Sequence, residues 1–222
     1  MSPSAGSGQA PTPGRKAVFL DRDGTISLEL GYIHEKDMPR YDVYPKSAAG
    51  LKKMKEAGYL LVMVTNQSGV ARGYYGPEMV ERVHARLAEL LAKEGVALDA
   101  VYYCPFHPNP FALPDIGEAA PGMENAKPNP AFAIDSDWRK PGAGMGWQAV
   151  KDLGLDLGSC WMIGDKSADL GFAKNLGVPG ILVRTGYGEE TITKMAAKGQ
   201  KPERVADDLL DAANLILAAP GR

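Results

Sequence analysis

The sequence predicts an α/β protein in which helices pack against a parallel sheet. Continuous apolar runs, such as AVFL at 17–20 and YLLVMV at 59–64, lack polar alternation and are typical of strands buried on both faces. Segments with helix start and stop signals separate these runs, and that alternation favours parallel strands joined by right-handed crossovers. Because 222 residues are enough for one sizeable core, we expect a single domain over 16–222.

Five strands and four helices are expected in this domain. The strands should occupy 17–21, 59–64, 96–103, 160–163 and 181–183. The helices should cover 47–57, 77–94, a segment beginning near 167, and 207–218. Ser47 and Pro77 suit helix starts, and Gly58 and Gly95 suit helix ends.

Three segments do not follow this alternation. Residues 1–15 are nearly all Ser, Gly, Pro, Ala and other polar residues, so we expect a disordered tail. Residues 28–45 have no clean period and are expected to be a loop that crosses the carboxyl-terminal edge of the sheet. Residues 105–138 hold seven prolines and an acidic excess, which predicts a long Pro-rich loop at that edge, here called the flap. Disorder is the alternative; a partly ordered flap is favoured because aromatic residues could dock it on the core, namely Phe106, Phe111, Phe132 and Trp138.

Composition excludes several classes of protein. A net charge of −2 gives no global sign of a polyanion-binding surface, which argues against a nucleic-acid partner. No apolar run approaches the roughly 18–20 residues of a membrane span, and no secretory signal is recognisable at the N-terminus. Two cysteines, Cys104 and Cys160, are too few for a disulfide framework. We expect a cytoplasmic protein with no membrane partner, and mostly short loops around a small core favour a monomer.

Four polar clusters follow strand-like segments or their loops, and parallel topology brings such ends to one edge of the sheet. The clusters are Asp21/Asp23, Thr65/Asn66, Arg139/Lys140 and Asp165/Lys166. Carboxylates from two strands suit a hard cation such as Mg²⁺. Cations and hydrogen-bond donors around a metal are what phosphoryl transfer requires, since negative charge gathers there.

Each cluster also has a purely structural interpretation. The aspartates of DRDGT could cap a turn, and Asp165 could cap the helix that begins near Ser167. Thr65 could be an ordinary residue at a strand end, and the pair Arg139–Lys140 could be solvated. The combination of four clusters in this order favours the functional interpretation.

The order of these motifs resembles the haloacid dehalogenase superfamily, and specifically its phosphatases. The segments FLDRDGTI, GYIHE, VTNQSGVARG, YYCP, RKP, GDKSADL and VRTG are similar to the heptose 1,7-bisphosphate phosphatases and the related histidinol phosphatases. The resemblance covers about 17–217. It implies a Rossmann-like three-layer sandwich with a mostly parallel sheet and no large cap domain.

The resemblance also implies a role for each matching residue. Asp21 would be the nucleophile that becomes an aspartyl phosphate, and Asp23 would act as general acid and then base. Mg²⁺ would be held by Asp21, Asp165 and the backbone carbonyl of Asp23. Thr65 would contact the phosphoryl oxygens and Lys140 would neutralise charge beside them. The implied substrate-binding residues are Glu29, Gly31, Tyr32, Asn66, Gln67, Ser68, Arg72, Arg139 and Lys166.

The sequence departs from this family at its zinc loop, which is patterned Cys-x-His followed by Cys-x-Cys. Cys104 is retained, but Phe106 stands two residues later and His107 is one place late. Asp135 and Asp137 stand near the position of the cysteine pair. Because a structural zinc site closes with four nitrogen or sulfur ligands, we predict that no zinc is bound. The acidic flap also means that a second substrate phosphate would need an offsetting cation from Arg72, Arg139 or Lys166.

The prediction from sequence is therefore a Mg²⁺-dependent phosphomonoester hydrolase acting on a heptose 1,7-bisphosphate or a similar small sugar phosphate. A histidinol-phosphate phosphatase and a broad small-metabolite phosphatase are the alternatives within the same chemistry. A dehalogenase is disfavoured, because a halide leaves without the proton that Asp23 would supply. A non-catalytic phosphate-binding module is the alternative outside enzymes, and it would be expected to lack one of Asp21, Asp23, Lys140 and Asp165.

Overall fold

The computed structural model describes residues 14–111 and 126–219. The strands of this part are β1 (Ala17–Leu20), β2 (Leu60–Asn66), β3 (Ala100–Cys104), β4 (Trp161–Gly164), β5 (Gly180–Val183) and β6 (Val205–Ala206). They form a sheet in the order β3-β2-β1-β4-β5-β6, and each neighbouring pair is parallel.

Six α-helices connect or follow these strands. They are α1 (Ser47–Glu56), α2 (Pro77–Lys93), α3 (Gly144–Leu153), α4 (Ser167–Leu176), α5 (Gly188–Ala197) and α6 (Leu209–Ala218). Short 3₁₀ helices occur at Glu35–Arg40, Pro130–Phe132 and Leu157–Ser159. Among the described residues, the loop between β1 and α1 contains only the 3₁₀ helix Glu35–Arg40, and the loop between β2 and α2 contains no helix or strand. No large cap domain is therefore inserted in these loops.

The core lies on both faces of the sheet, as the uninterrupted apolar runs predict. Val18 and Leu20 of β1 face a cluster built with α1, α2 and α6. Ala17 and Phe19 face the other way, toward α3 and α4, and the Phe19 ring meets that of Phe172 edge to face at 5.7 Å. Helices on both faces of a parallel sheet make the three-layer, Rossmann-like sandwich that was expected.

The middle position of β1 determines where the polar clusters meet. Leu20 is in register with Met63 of β2 on one side and with Ile163 of β4 on the other. The chain therefore leaves all three strands at the same edge, and Asp21 and Asp165 follow directly there. Ligands of open parallel sheets bind at this edge.

Four elements differ from the sequence prediction. Helices α3 and α5 and strand β6 were not expected, and β3 begins at Ala100 instead of 96. Helix α3 was not expected because it contains Gly146. A Cβ at this position would overlap the side chains of Leu176 and Phe172 of α4. Close packing of α3 on α4 thus requires a residue that weakens the helical signal. Ahead of β3, Val96 is buried outside the strand, and the Asp99 carboxylate accepts the Leu61 N–H at 2.8 Å.

The predicted tail ends earlier than residue 15. Residues 1–13 lie outside the described residues. The Arg15 N–H donates to Gly154 O at 3.0 Å, and the Asp156 N–H donates to Arg15 O at 2.9 Å. Arg15 is therefore part of the folded domain, which corrects that boundary.

The flap is docked through some of the predicted aromatic residues. Phe106 packs against the core and lies 5.8 Å from the Phe132 ring, and Trp138 meets Tyr102 edge to face at 6.3 Å. Phe111 does not dock, since 78% of its surface is exposed. Residues 112–125 of the flap lie outside the described residues.

None of the helices in the described part of the chain is long and apolar enough to cross a lipid bilayer.

Candidate active site

Asp21 lies at the end of β1 as a buried and ionised carboxylate. Its N–H donates to Ile163 O of β4 at 3.0 Å, which fixes the backbone between the two strands. Its Oδ1 accepts from Lys140 Nζ and from the Arg22 N–H, both at 2.8 Å. Burial would raise the pKa of the Asp21 carboxyl, but the ammonium groups of Lys140 and Lys166 and the Arg22 N–H outweigh it and hold the pKa below its usual value.

Lys140 is a buried cation with a complete set of acceptors. Its Nζ lies 2.8 Å from Asp21 Oδ1, 2.7 Å from Asp169 Oδ1 and 2.8 Å from Val64 O. Burial alone would lower the pKa of Lys140, yet the two carboxylates raise it. A lysine held in this way stays charged and keeps the Asp21 carboxylate charged as well.

The backbone of Lys140 is fixed by Asn66 at the end of β2. The Asn66 side chain donates to Lys140 O and accepts the Lys140 N–H, each at 3.0 Å. The sequence predicted that Asn66 would contact the substrate. Both ends of its amide bind the loop that carries Lys140, and Asn66 also lines the cleft beside Asp23.

Asp169 was not assigned from sequence, although it is the last residue of the GDKSAD motif. It stands four residues after Asp165, in the first turn of α4, where its Oδ2 accepts the Lys166 N–H at 2.9 Å. Burial raises the pKa of Asp169, while Lys140 acts in the opposite direction. The available signal was a second acidic residue in the first turn of a helix, which capping alone also explains.

Asp165 is a fully buried carboxylate whose two oxygens have different surroundings. Its Oδ2 accepts the Tyr187 N–H at 2.8 Å, whereas Oδ1 has no hydrogen-bond donor among the described residues and lies 3.6 Å from Lys166 Nζ. Burial raises the pKa of Asp165 to about 8, and the nearby Asp21 carboxylate acts in the same direction. Gly24 and Gly186 pack their backbones against this carboxylate, where a Cβ on either residue would overlap it.

These carboxylates form a group that fits a divalent cation. One oxygen from each of Asp21, Asp165 and Asp169 lies within 4.8 Å of the others. The Oδ1 of Asp165 is the specific observation, because it has no hydrogen-bond donor among the described residues and its ionic neighbour, Lys166 Nζ, lies 3.6 Å away. A buried carboxylate oxygen without a donor is costly unless a cation meets it closely. Both oxygens of Asp169 are engaged, by Lys140 Nζ and by the Lys166 N–H, whereas the contacts of Asp21 are to its Oδ1. Asp21 and Asp165 are therefore the carboxylates that would hold the cation.

The Asp23 side chain points away from this group and toward the substrate cleft. Arg22 Nε donates to Asp23 Oδ1 at 3.0 Å, Arg22 Nη2 donates to Oδ2 at 2.7 Å, and Gln67 Nε2 donates to Oδ2 at 3.0 Å. Arg22 is 2% exposed and was not singled out from sequence, because nothing local shows that an arginine between two aspartates is buried. Asp23 contributes no side-chain oxygen to the three-carboxylate group, so only its backbone carbonyl is left for the predicted role in metal binding.

The remaining residues of the β2 turn lie around Asp23. Thr65 is buried, and its Oγ1 accepts from Gln67 Nε2 at 2.9 Å. Gln67 therefore orients Asp23 and Thr65 together, although it also lines the cleft. Ser68 lies in the cleft wall, as predicted for a substrate-binding position.

A cleft of about 530 Å³ opens next to Asp23, a volume typical of small-molecule sites. The predicted residues Glu29, Gly31, Tyr32 and Lys166 line it. Glu29 accepts the Gly31 N–H at 2.8 Å and Lys166 Nζ at 2.9 Å. Burial raises the pKa of Glu29 despite this lysine. Tyr187, which was not predicted, lies in the same wall with Lys166 Nζ 4.7 Å above its ring.

Two predicted substrate-binding arginines do not line this cleft among the described residues. Arg72 is buried, its Nη1 donates to Pro110 O at 3.2 Å, and its Nη2 lies 3.3 Å from His107 Nε2. It thus anchors the flap. The Arg139 N–H donates to Ser136 O at 3.0 Å in the turn that precedes Lys140.

Comparison with known proteins agrees with this architecture. The HAD-hydrolase-like family model matches residues 137–212. The D-glycero-D-manno-heptose-1,7-bisphosphate 7-phosphatase of Thermosynechococcus vestitus is 38% identical over 203 residues, covering 91% of this chain and 95% of the relative. The D-glycero-beta-D-manno-heptose-1,7-bisphosphate 7-phosphatase of Haemophilus ducreyi is 39% identical over 200 residues, covering 89% and 96%.

A solved structure gives the same picture. The crystal structure of D,D-heptose 1,7-bisphosphate phosphatase from B. bronchiseptica, complexed with magnesium and phosphate, superposes with a TM-score of 0.70 at 28% identity. The superposition covers 93% of this chain and 99% of that one. The chain is a phosphatase and belongs, within the haloacid-dehalogenase-like hydrolases, to the family of the heptose-1,7-bisphosphate 7-phosphatases.

Proposed function

We propose that this phosphatase hydrolyses a heptose 1,7-bisphosphate, or a closely similar sugar phosphate, through an aspartyl-phosphate intermediate with Mg²⁺ as cofactor. The observation that carries the proposal is the pairing of an ionised carboxylate, Asp21, with a neighbouring carboxylate oxygen of Asp165 that has no donor. The first has the charge of a nucleophile, and the second is a buried oxygen that only the Lys166 ammonium group, at 3.6 Å, approaches among the described cations.

In the first step, an oxygen of Asp21 attacks phosphorus and the bond from phosphorus to the sugar oxygen breaks. Asp23 gives its proton to the departing sugar oxygen, which leaves as an alcohol. Arg22 and Gln67 hold the Asp23 carboxyl at the cleft, and Lys140 lies beside the Asp21 carboxylate where negative charge accumulates.

In the second step, the Asp23 carboxylate takes a proton from water, and the water oxygen attacks phosphorus. The bond from phosphorus to the Asp21 oxygen breaks, which releases inorganic phosphate and restores both carboxyl groups. One residue serves as acid and then as base because the two transfers are mirror images of each other.

Asp21 and Asp165 would hold Mg²⁺, with the backbone carbonyl of Asp23 as a further oxygen ligand. The bound ion would offset the charge of the phosphoryl oxygens. We retain the prediction that no zinc is needed, because Arg72 and His107 give the flap an anchor of its own.

The experiment is phosphate release from a panel of phosphorylated metabolites, with Mg²⁺ and with EDTA. The panel contains both anomers of heptose 1,7-bisphosphate, histidinol phosphate and several sugar monophosphates. We expect release that requires Mg²⁺ and strongly favours one heptose bisphosphate. Preference for histidinol phosphate would replace the substrate assignment. Binding of phosphate esters without release from any of them would support the binding-module alternative and overturn the proposal.

A further inference from the structure

The far wall of the cleft is one face of helix α5. Thr191, Lys194, Met195 and Lys198, which follows the helix directly, all line the cleft. Their spacing of three, four and seven residues places them along one side of a helix. This face forms a continuous part of the cleft wall, and no motif in the sequence indicated a role for it.

Helix α5 is held at a fixed distance from the catalytic carboxylates. Thr191 Oγ1 donates to Asp165 O at 2.9 Å, and the Tyr187 N–H just before the helix donates to Asp165 Oδ2 at 2.8 Å. Lys198 follows Thr191 by seven residues, or about 10 Å along the helix axis. Lys198 thus lines the cleft about two helical turns beyond the contact that ties α5 to Asp165.

Charge pairing distinguishes Lys198 from the other lysines of the cleft. Lys166 pairs with Glu29 at 2.9 Å, and Lys194 pairs with Glu190 at 2.6 Å. Lys198 has no carboxylate within ion-pairing distance among the described residues. The α5 wall of the cleft therefore holds a lysine with no carboxylate partner among the described residues.

The arginine most readily expected to meet a second phosphate is occupied elsewhere. Arg72 contacts Pro110 O and His107 beneath the flap. Arg139 is not part of the cleft lining described here. A bisphosphate that places one phosphate at Asp21 and extends through the cleft would meet α5 with the other.

We propose that Lys198, supported by Lys194, binds the phosphate group that is not hydrolysed and thereby selects bisphosphates over monophosphates. This inference rests on the proposed function, since it needs a substrate with two phosphates. A phosphate oxygen would accept from the Lys198 ammonium group, a charge-assisted hydrogen bond of the stronger kind.

The test compares Lys198→Ala with the unaltered protein on heptose 1,7-bisphosphate and on heptose 7-phosphate, which lacks the second phosphate. We expect KM for the bisphosphate to rise about tenfold, with kcat within about twofold and the monophosphate kinetics unchanged. Lys198→Arg should restore most of the bisphosphate affinity. Lys174→Ala, which removes an exposed lysine of α4 outside the cleft, is the control for net charge.

Several outcomes would overturn the inference while the proposed function stands. An equal change in KM for both substrates, or no change in KM for either, would show that Lys198 does not bind the second phosphate. If Arg139→Ala raised KM for the bisphosphate alone and Lys198→Ala did not, the second phosphate would bind on the flap side of the site. If the unaltered protein released no phosphate from either substrate, the proposed function would fail, and the inference with it.

Discussion

The two ends of the cleft differ in how deeply their charged side chains are buried. At the strand end, the side chains of Lys140 and Asp21 are 2% and 7% exposed, and the lysine has three acceptors. At the α5 end, the side chains of Lys194 and Glu190 are 62% and 50% exposed in a simple pair one helical turn apart.

This difference separates two tasks of one site. Buried charges with several partners cannot change partners without a large penalty, which keeps the reacting groups in fixed positions. Exposed pairs contribute little and exchange easily for a ligand, which suits recognition of a substrate that arrives and leaves. We therefore expect large and structural effects from changes at the strand end, and smaller, substrate-dependent effects from changes at α5.

The largest effect is expected from Asp21→Asn. Asparagine keeps the shape and can still accept from Lys140 and Arg22, but it lacks the nucleophilic charge, so phosphate release should fall by at least about 10³-fold. Thermal unfolding should show that the protein remains folded. Glu190→Gln, at the exposed end, is the matched change and should stay within about threefold of the unaltered rate. Equal losses of phosphate release in the two variants would contradict the distinction between the buried and the exposed end of the cleft.

The next effect concerns stability. Lys140→Met leaves the buried Asp21 and Asp169 carboxylates without their shared cation, and we expect the free energy of unfolding to fall by about 3–5 kcal/mol. Lys46→Met removes an ion pair of similar length, 2.7 Å to Asp208, whose lysine is 62% exposed. That control should cost far less, because solvent screens an exposed ion pair. Urea unfolding of the three proteins measures both values, and a similar loss in the two variants would contradict the distinction between buried and exposed charge.

A smaller effect is expected where the flap meets the domain. Arg72→Met keeps the aliphatic length but removes the hydrogen bond to Pro110 O, which should cost about 1–3 kcal/mol. Hydrogen exchange should accelerate at the amides of His107 and Asn129, which donate to Phe132 O and Ala71 O. Arg86→Met, which removes a surface pair with Glu89, should leave these amides protected. Unchanged exchange in Arg72→Met would mean that Arg72 does not anchor the flap.

Much of the fold could be predicted because its signals are local. The apolar runs at β1, β2 and β4 and the polar residues directly after them are visible in sequence, and parallel topology then brings Asp21 and Asp165 together. Helix α3 was missed because Gly144 and Gly146 lower its helix propensity, and the need for Gly146 exists only once α4 packs against it.

In the site, too, contacts between residues far apart in sequence could not be predicted. The position of Asp169 was visible in GDKSAD, but its contact with Lys140 joins residues 29 apart in sequence. Arg72 was expected to face substrate, and only tertiary structure directs it to the flap. Asn66 lines the cleft, but its contact with the Lys140 backbone joins residues 74 apart in sequence. The role proposed for α5 depends on a helix that the sequence pattern did not predict.

The central position of β1 has a consequence for biosynthesis. Asp21 is made early, yet its partner strand β4 and the lysine that keeps it ionised come more than a hundred residues later in the chain. A nascent chain on the ribosome therefore carries the nucleophile without its neighbours until most of the domain has been translated. Contacts of such long sequence separation slow folding, so the order of synthesis makes catalytic competence one of the last properties that this enzyme acquires.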